Sequence, residues 1–289
     1  MTRPARRPSA PRPRLLLAAT LGLALAGAGA LPRSAAAEGF DLSQMTPDQK
    51  AAFGKAVHDY LMEHPEVLVE AYSKLQEQQA QQQAADDESL VKANANALFH
   101  DPNSWVGGNP KGDITLVEFM DYRCGYCKKA MPEVAKLLKT DGKIRYIVKE
   151  FPILTEQSVI GARFAIATRQ VAGDAAYAKV HDALMAMRGP INEASLKALA
   201  DTLDLDYDAI SARTDSASVN KVIAENHALA ARLKINGTPT FVLGGDMLRG
   251  YVPYDQLKEI VAEIRTDRNA APTSTSGASS TPPATGDNG

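Results

Sequence analysis

Cysteine is nearly absent from this chain of 289 residues, which has only Cys124 and Cys127. Two cysteines separated by two residues cannot staple distant parts of a fold, so a disulfide-stabilised scaffold is excluded. A structural zinc site needs four ligands. There is no second cysteine pair, and His58, His64, His100, His181 and His227 show no ligand spacing, so no metal site is expected. Copper(I) held by two thiolates stays open as an alternative. Positive charge in excess is also missing. The formal net charge is -2, and setting aside the six arginines of the first 37 residues takes it to -8, an acidic balance that argues against nucleic acid as a partner.

Those first 37 residues hold no acid. Arg3, Arg6, Arg7, Arg12 and Arg14 precede an apolar stretch from Leu15 to Leu31, and Ala35-Ala36-Ala37 follows. This is the pattern of a secretory signal peptide at 1–37, cleaved near Ala37. An uncleaved anchor is the alternative, because the run approaches the roughly 18 to 20 residues that cross a bilayer. No cysteine follows the run, which excludes a lipid on an N-terminal cysteine. Export to an oxidising space, with two sulfurs that cannot act as a staple, leaves them for chemistry.

Residues 38–90 read as a helical segment. Val57, Leu61, His64, Leu68, Ala71 and Leu75 alternate at spacings of four and three, a coiled-coil seam, and Pro65 breaks the run. Self-association is the favoured reading over packing on the chain's own domain, while Asp86-Asp87-Glu88 reads as solvated surface. A domain is expected at 96–265. It opens with a loop at 103–113 that contains Trp105, a packing residue, then a strand Ile114–Met120 and a helix from Cys124 to Lys139 kinked at Pro132. A second strand covers Ile144–Phe151. Helices are predicted near 157–172, 174–187, 193–203 and 215–233, broken at Gly173 and Gly189-Pro190. A hairpin turning at Gly244-Gly245-Asp246 and a helix Tyr254–Arg265 close the domain. This order predicts an α/β class, a thioredoxin fold with an inserted helical subdomain at about 155–233. The Ser, Thr and Pro composition of 266–289 predicts a disordered tail.

Only a thiolate attacks a disulfide, and a cysteine at a helix N-terminus gains from free amides and the helix dipole. Cys124 is therefore assigned as nucleophile and Cys127, a turn further in, as the resolving cysteine. Lys128 and Lys129 add positive potential or are simply solvated. Thr238-Pro239 stands at the start of a strand, where a cis bond is accommodated and the backbone is free to pair with extended substrate. Thr238, Gly125 and Tyr126 are the expected substrate contacts. Glu118 faces the interior if Val117 and Phe119 face the other side of the sheet, and it could take the proton of Cys127. Lys149 is either its partner from the neighbouring strand or an exposed lysine.

The run Asp121-Tyr122-Arg123-Cys124-Gly125-Tyr126-Cys127-Lys128, the pair Met131-Pro132, the strand from Tyr146 to Leu154, and Gly237-Thr238-Pro239-Thr240-Phe241 together resemble the DsbA-type periplasmic thiol-disulfide oxidoreductases. The suppressor-of-copper-sensitivity C (ScsC) branch is the most similar, and the stretch from Tyr60 to Leu68 resembles its oligomerisation helix. The resemblance implies Glu118 as buried acid, Pro239 as cis proline, and a redox-active disulfide with no bound cofactor. It also implies a periplasmic location, exported protein substrates, a membrane partner that resets the cysteine pair, and a homo-oligomer, with a trimer favoured. Gly-Tyr between the cysteines departs from the Pro-His of the oxidase type and removes one stabilising neighbour of the thiolate. The expected function is an oligomeric disulfide isomerase. A monomeric dithiol oxidase and a non-enzymatic copper-binding protein are the alternatives.

Overall fold

The computed structural model describes residues 42–270, so the leader at 1–37 and the tail beyond Ala270 lie outside the described residues. The chain divides at Pro65 into two units. In the first, helix α1 (Pro47–Glu63) begins with a capping box: Gln49 N donates to Thr46 Oγ1 at 3.3 Å, Thr46 N donates to Gln49 Oε1 at 2.9 Å, and Pro47 pre-sets the first turn. The helix stops before Pro65, since the residue ahead of a proline is pushed out of helical conformation. None of its residues is buried, and Phe53, Val57, Tyr60 and Met62 are exposed.

The second unit opens with α2 (Glu66–Ala93). Its first half leaves Leu68, Val69, Tyr72 and Leu75 exposed, whereas Asp87 and Val91 near its end are buried. Asp87 was expected in solvated surface. Instead it accepts a bidentate pair from Arg249 and a bond from Gln83 Nε2 at 2.8 Å, and burial of its neighbour Val91 draws the helix end into the domain.

The sheet contains β1 (Trp105–Gly108), β2 (Ile114–Met120), β3 (Ile144–Glu150), β4 (Thr240–Leu243) and β5 (Asp246–Arg249), in the order β1-β3-β2-β4-β5. Only β2 and β3 are parallel, with Glu118 opposite Val148. Strand alternation sorts the core. Ile114, Leu116, Met120, Tyr146 and Val148 pack on one face against α4 (Gly125–Asp141), α5 (Glu156–Ala186), α6 (Glu193–Thr202), α7 (Tyr207–Thr214) and α9 (Tyr254–Ala270). Val117, Phe119, Ile147 and Val242 pack on the other, against the end of α2, α3 (Ala95–Phe99) and the end of α8 (Ala217–Arg232). This is a thioredoxin fold with α5 to α8 inserted between β3 and β4.

The departures from expectation are local. The loop predicted at 103–113 contains β1, whose two glycines weigh against strand but whose backbone pairs antiparallel with β3. Helix α4 covers the expected span with Pro132 inside it and ends two residues later, at Asp141. The break expected at Gly173 is present, as a kink inside α5 where this residue leaves helical conformation at φ 85°, which costs glycine little. The short helix α7, capped by Asp206, has no counterpart among the predicted elements. Helix α9 continues five residues into the segment predicted as tail, from Thr266 to Ala270.

Candidate active site

Between β2 and α4 the chain turns through Asp121, and short polar side chains in turns satisfy nearby amides. Its carboxylate accepts from Arg123 N at 2.7 Å, Ile153 N at 2.9 Å and Leu154 N at 3.1 Å, and its carbonyl accepts from Cys124 N at 3.0 Å. Cys124 is thereby delivered as the N-cap of α4. Its sulfur accepts from Cys127 N at 3.4 Å, one of the amides that a helix start leaves unsatisfied. Its thiol donates to Thr238 O at 3.2 Å, a contact across 114 residues made because β4 pairs antiparallel with β2, Thr240 opposite Phe119. The Thr238–Pro239 bond is cis, and Pro239 O accepts from Gly250 N at 2.8 Å.

Both cysteines are buried free thiols, and they differ sharply in acidity. The hydrogen bond from the Cys127 thiol lowers Cys124 to about 5. Burial works against this, while the backbone amides of Cys127 and Tyr126 assist. The same sulfur contact, together with burial and the nearby Glu118 carboxylate, pushes Cys127 far up. At neutral pH Cys124 is ionised and Cys127 keeps its proton.

Glu118 lies on the same face of β2 as Leu116 and Met120 and is 2% exposed. Burial raises it to about 7. The hydrogen bond from Tyr146 Oη to Oε2 pulls the other way, and the charge of Cys124 adds to the rise. Its Oε1 has no partner. A cavity of about 110 Å³, lined by Glu118, Tyr146, Trp105, Met131, His181 and Asp182 among others, has room for a few waters beside it. Such a carboxyl both gives and takes a proton near neutrality.

Gly125 and Tyr126 form the exposed first turn of α4, with Tyr126 63% exposed. Ile153 and Leu154, whose amides bind Asp121, also expose apolar surface. Lys149 fits neither of its two sequence readings. It is 1% exposed on the face opposite Glu118, where Nζ reaches Asp101 at 2.6 Å and Ala97 O at 2.9 Å. The lysines after Cys127 are engaged: Lys128 donates to Met187 O, and Lys129 stands 4.0 Å over the Tyr251 ring. His181 is buried among Trp105, Tyr122 and Tyr177. Sequence reasoning missed the roles of Tyr146 and Asp121. Alternation along the parallel pair would have placed Tyr146 on the side of Glu118, whereas the amides that converge on Asp121 come from a loop no local pattern predicts.

Residues 115–262 match the family model described as DSBA-like thioredoxin domain, and residues 49–82 match the Copper resistance protein ScsC N-terminal domain. The chain is 41% identical to a thioredoxin-like oxidoreductase from Silicibacter pomeroyi DSS-3, with a TM-score of 0.56 over 59% of this chain and 97% of that one. It is 27% identical to Proteus mirabilis ScsC in a transitional conformation, with a TM-score of 0.57 over 78% and 99% of the two chains. Among curated proteins it is 32% identical over 157 residues to Na(+)/H(+) antiporter NhaA 1 of Salinispora arenicola, a match to 54% of this chain and 24% of that protein. The chain thus spans about a quarter of the length of the curated relatives it matches. With the thioredoxin-domain model covering more than half of its length and the ScsC model preceding it, the chain belongs to the DSBA-like thioredoxin domain family.

Proposed function

We propose that the protein is a thiol-disulfide oxidoreductase of exported proteins, acting in the periplasm as an oligomeric disulfide isomerase. The observation that carries this reading is the split in acidity across one helical turn, with Cys124 at about 5 and Cys127 holding its proton above a buried acid. The Cys124 thiolate attacks one sulfur of a substrate disulfide, that S–S bond breaks, and the departing sulfur takes a proton from solvent. Cys127 then gives its proton to Glu118 and attacks Cys124 Sγ. The mixed disulfide breaks, and the substrate leaves as a thiolate that takes a proton from solvent, with the Cys124–Cys127 disulfide formed. In isomerisation a second substrate thiolate attacks the mixed disulfide instead, and Cys124 returns reduced. Thr238 and Pro239 offer backbone to an extended substrate, and Tyr126 with Gly125 forms the rim it meets. A membrane redox partner resets the pair, and the redox-active disulfide takes the place of a bound cofactor.

Assembly is supported by apolar side chains left exposed on each helix, Val57 in α1 and Leu68, Tyr72 and Leu75 in α2. Export is supported by the leader pattern. Among the described residues no helix is long and apolar enough to cross a membrane.

One observation favours a second reading, a monomeric dithiol oxidase: a strongly acidic Cys124 stabilises the reduced form and makes the disulfide a better oxidant. Reactivation of a scrambled-disulfide substrate separates the two. The mature chain is compared with a Tyr72→Glu, Leu75→Glu variant, whose substitutions lie on the exposed half of α2, with subunit number followed by light scattering. Loss of both assembly and reactivation supports the isomerase. A monomeric wild type that only oxidises reduced substrate supports the oxidase. Exchange surviving in Cys124→Ser refutes both.

A further inference from the structure

The loop that presents Cys124 is held from two sides. Asp121 ties it to the backbone of Ile153 and Leu154. Tyr122, fully buried, ties it to the helical insertion and to the end of β3: its hydroxyl donates to Glu150 Oε1 at 2.7 Å and lies 3.1 Å from His181 Nδ1. Its ring fits against Gly161 of α5, where an added methyl would stand 3.2 Å from the ring edge. Tyr177 donates to the same Glu150 oxygen at 2.6 Å.

Glu150 lies on the same sheet face as Tyr146 and Val148, is buried, and has an Oε2 without a partner. The groups around it do not supply a counter-charge. Arg169 of α5, which shares a cavity of about 10 Å³ with Glu150, bonds Asp174 and the carbonyls of Pro102 and Asn103. Asn226 of α8 donates to the Glu150 backbone carbonyl, and Asp121 adds negative charge. His181 is itself kept neutral by burial, down to about 4.

We propose that Glu150 is a positioning residue for the nucleophile: protonated, it anchors Tyr122 and with it the Cys124 loop, and in alkaline solution its ionisation loosens that anchor. The proposal rests on Cys124 being the nucleophile. In the neutral form the proton sits on Oε2 and leaves Oε1 to accept both phenols. Once it is lost, Oε2 is a bare buried anion with no donor, a costly state that is relieved by movement admitting water. Burial places this ionisation at about 8, with the two phenols opposing and Asp121 assisting the rise.

Trp105 is the sole tryptophan. Its ring stacks on His181 with centroids 6.2 Å apart and is tilted against Tyr177 at 5.4 Å, so its emission reports this cluster. Alkylation of the reduced mature chain by iodoacetamide and Trp105 emission are followed together from acid to mildly alkaline pH. Alkylation is expected to rise through about 5 and to show a further inflection near 8, shared with the emission. Glu150→Gln, which keeps an acceptor for both phenols, retains the first inflection and loses the alkaline one in both signals. Tyr122→Phe moves the alkaline inflection upward and slows alkylation about five-fold, the worth of one hydrogen bond. Both variants preserve the shape of the cluster, and Glu118→Gln separates any inflection near 7. An alkaline inflection that persists in Glu150→Gln, or is missing from wild type, overturns the proposal. A missing rise through about 5 overturns instead the reading of Cys124.

Discussion

On the sheet face that packs against α3 and the end of α8, Lys149 is buried as half of an ion pair, its Nζ 2.6 Å from Asp101. On the opposite face, Glu118 and Glu150 are buried without an ion pair among the described residues, and phenols from Tyr146, Tyr122 and Tyr177 are their hydrogen-bond partners. A buried charge is tolerable when matched by an opposite one, and otherwise the group tends to neutralise itself. The first solution is static. The second leaves a proton near the cysteines whose release lies in the physiological range, which suits a site where a thiol proton must be moved.

Breaking the ion pair is the largest expected effect. Lys149→Met leaves the half-buried Asp101 carboxylate without its partner and should cost roughly 3 kcal/mol of stability in urea unfolding, the low end for such a pair because Asp101 keeps some contact with solvent. Asp101→Asn together with Lys149→Met should recover most of it, because no uncompensated charge remains. On the other face, Glu118→Gln should leave stability at neutral pH little reduced and instead slow release of substrate by Cys127 about 100-fold, with attack by Cys124 less affected. Stopped-flow traces that show equal slowing of both steps would remove Glu118 from proton transfer.

The two faces should also respond oppositely to pH. A carboxyl whose folded value is raised stabilises least above its unfolded value, since the unfolded chain has already released the proton the fold retains. From about 7, above which Glu118 and His181 contribute little further change, to about 8, Glu150 should therefore lower stability by up to about 1.4 kcal/mol per pH unit, and Glu150→Gln should flatten this fall. Asp101 behaves in reverse. Burial alone would raise it, yet the hydrogen bonds from Lys149 and Ser104 hold it below its ordinary value of 3.8, so its contribution is present above that value and lost as pH falls further. Thermal melts across pH for Asp101→Asn should lose that acid limb alone. The smallest effect is expected from Tyr146→Phe. Losing one donor should raise Glu118 further and change stability by about 1 kcal/mol, with the pH midpoint of substrate release moving upward.

Much of this contrast was legible before any fold was seen. The alternation in Ile114–Met120 places Glu118 on the face opposite Val117 and Phe119, and the structure keeps it there. The same alternation applied to Ile144–Glu150 puts Lys149 away from Glu118, so pairing the two was an error of face, not of chemistry. Helix α7 and strand β1 were not legible, one being eight residues long and the other half glycine, so neither carries enough periodic signal.

By itself the sequence determined the two sulfurs, their place at a helix start and the acid six residues earlier, because capping and periodicity are written within a few residues of one another. Tertiary structure alone decided the charge states. Thr238 reaches Cys124 across 114 residues, Asp101 reaches Lys149 from a loop before β1, and Tyr122, Tyr177 and His181 converge on one side of Glu150 from a turn and a helix. The protonation of a buried group depends on what fills the few ångströms around it, and distant segments supply that filling only once the chain has folded.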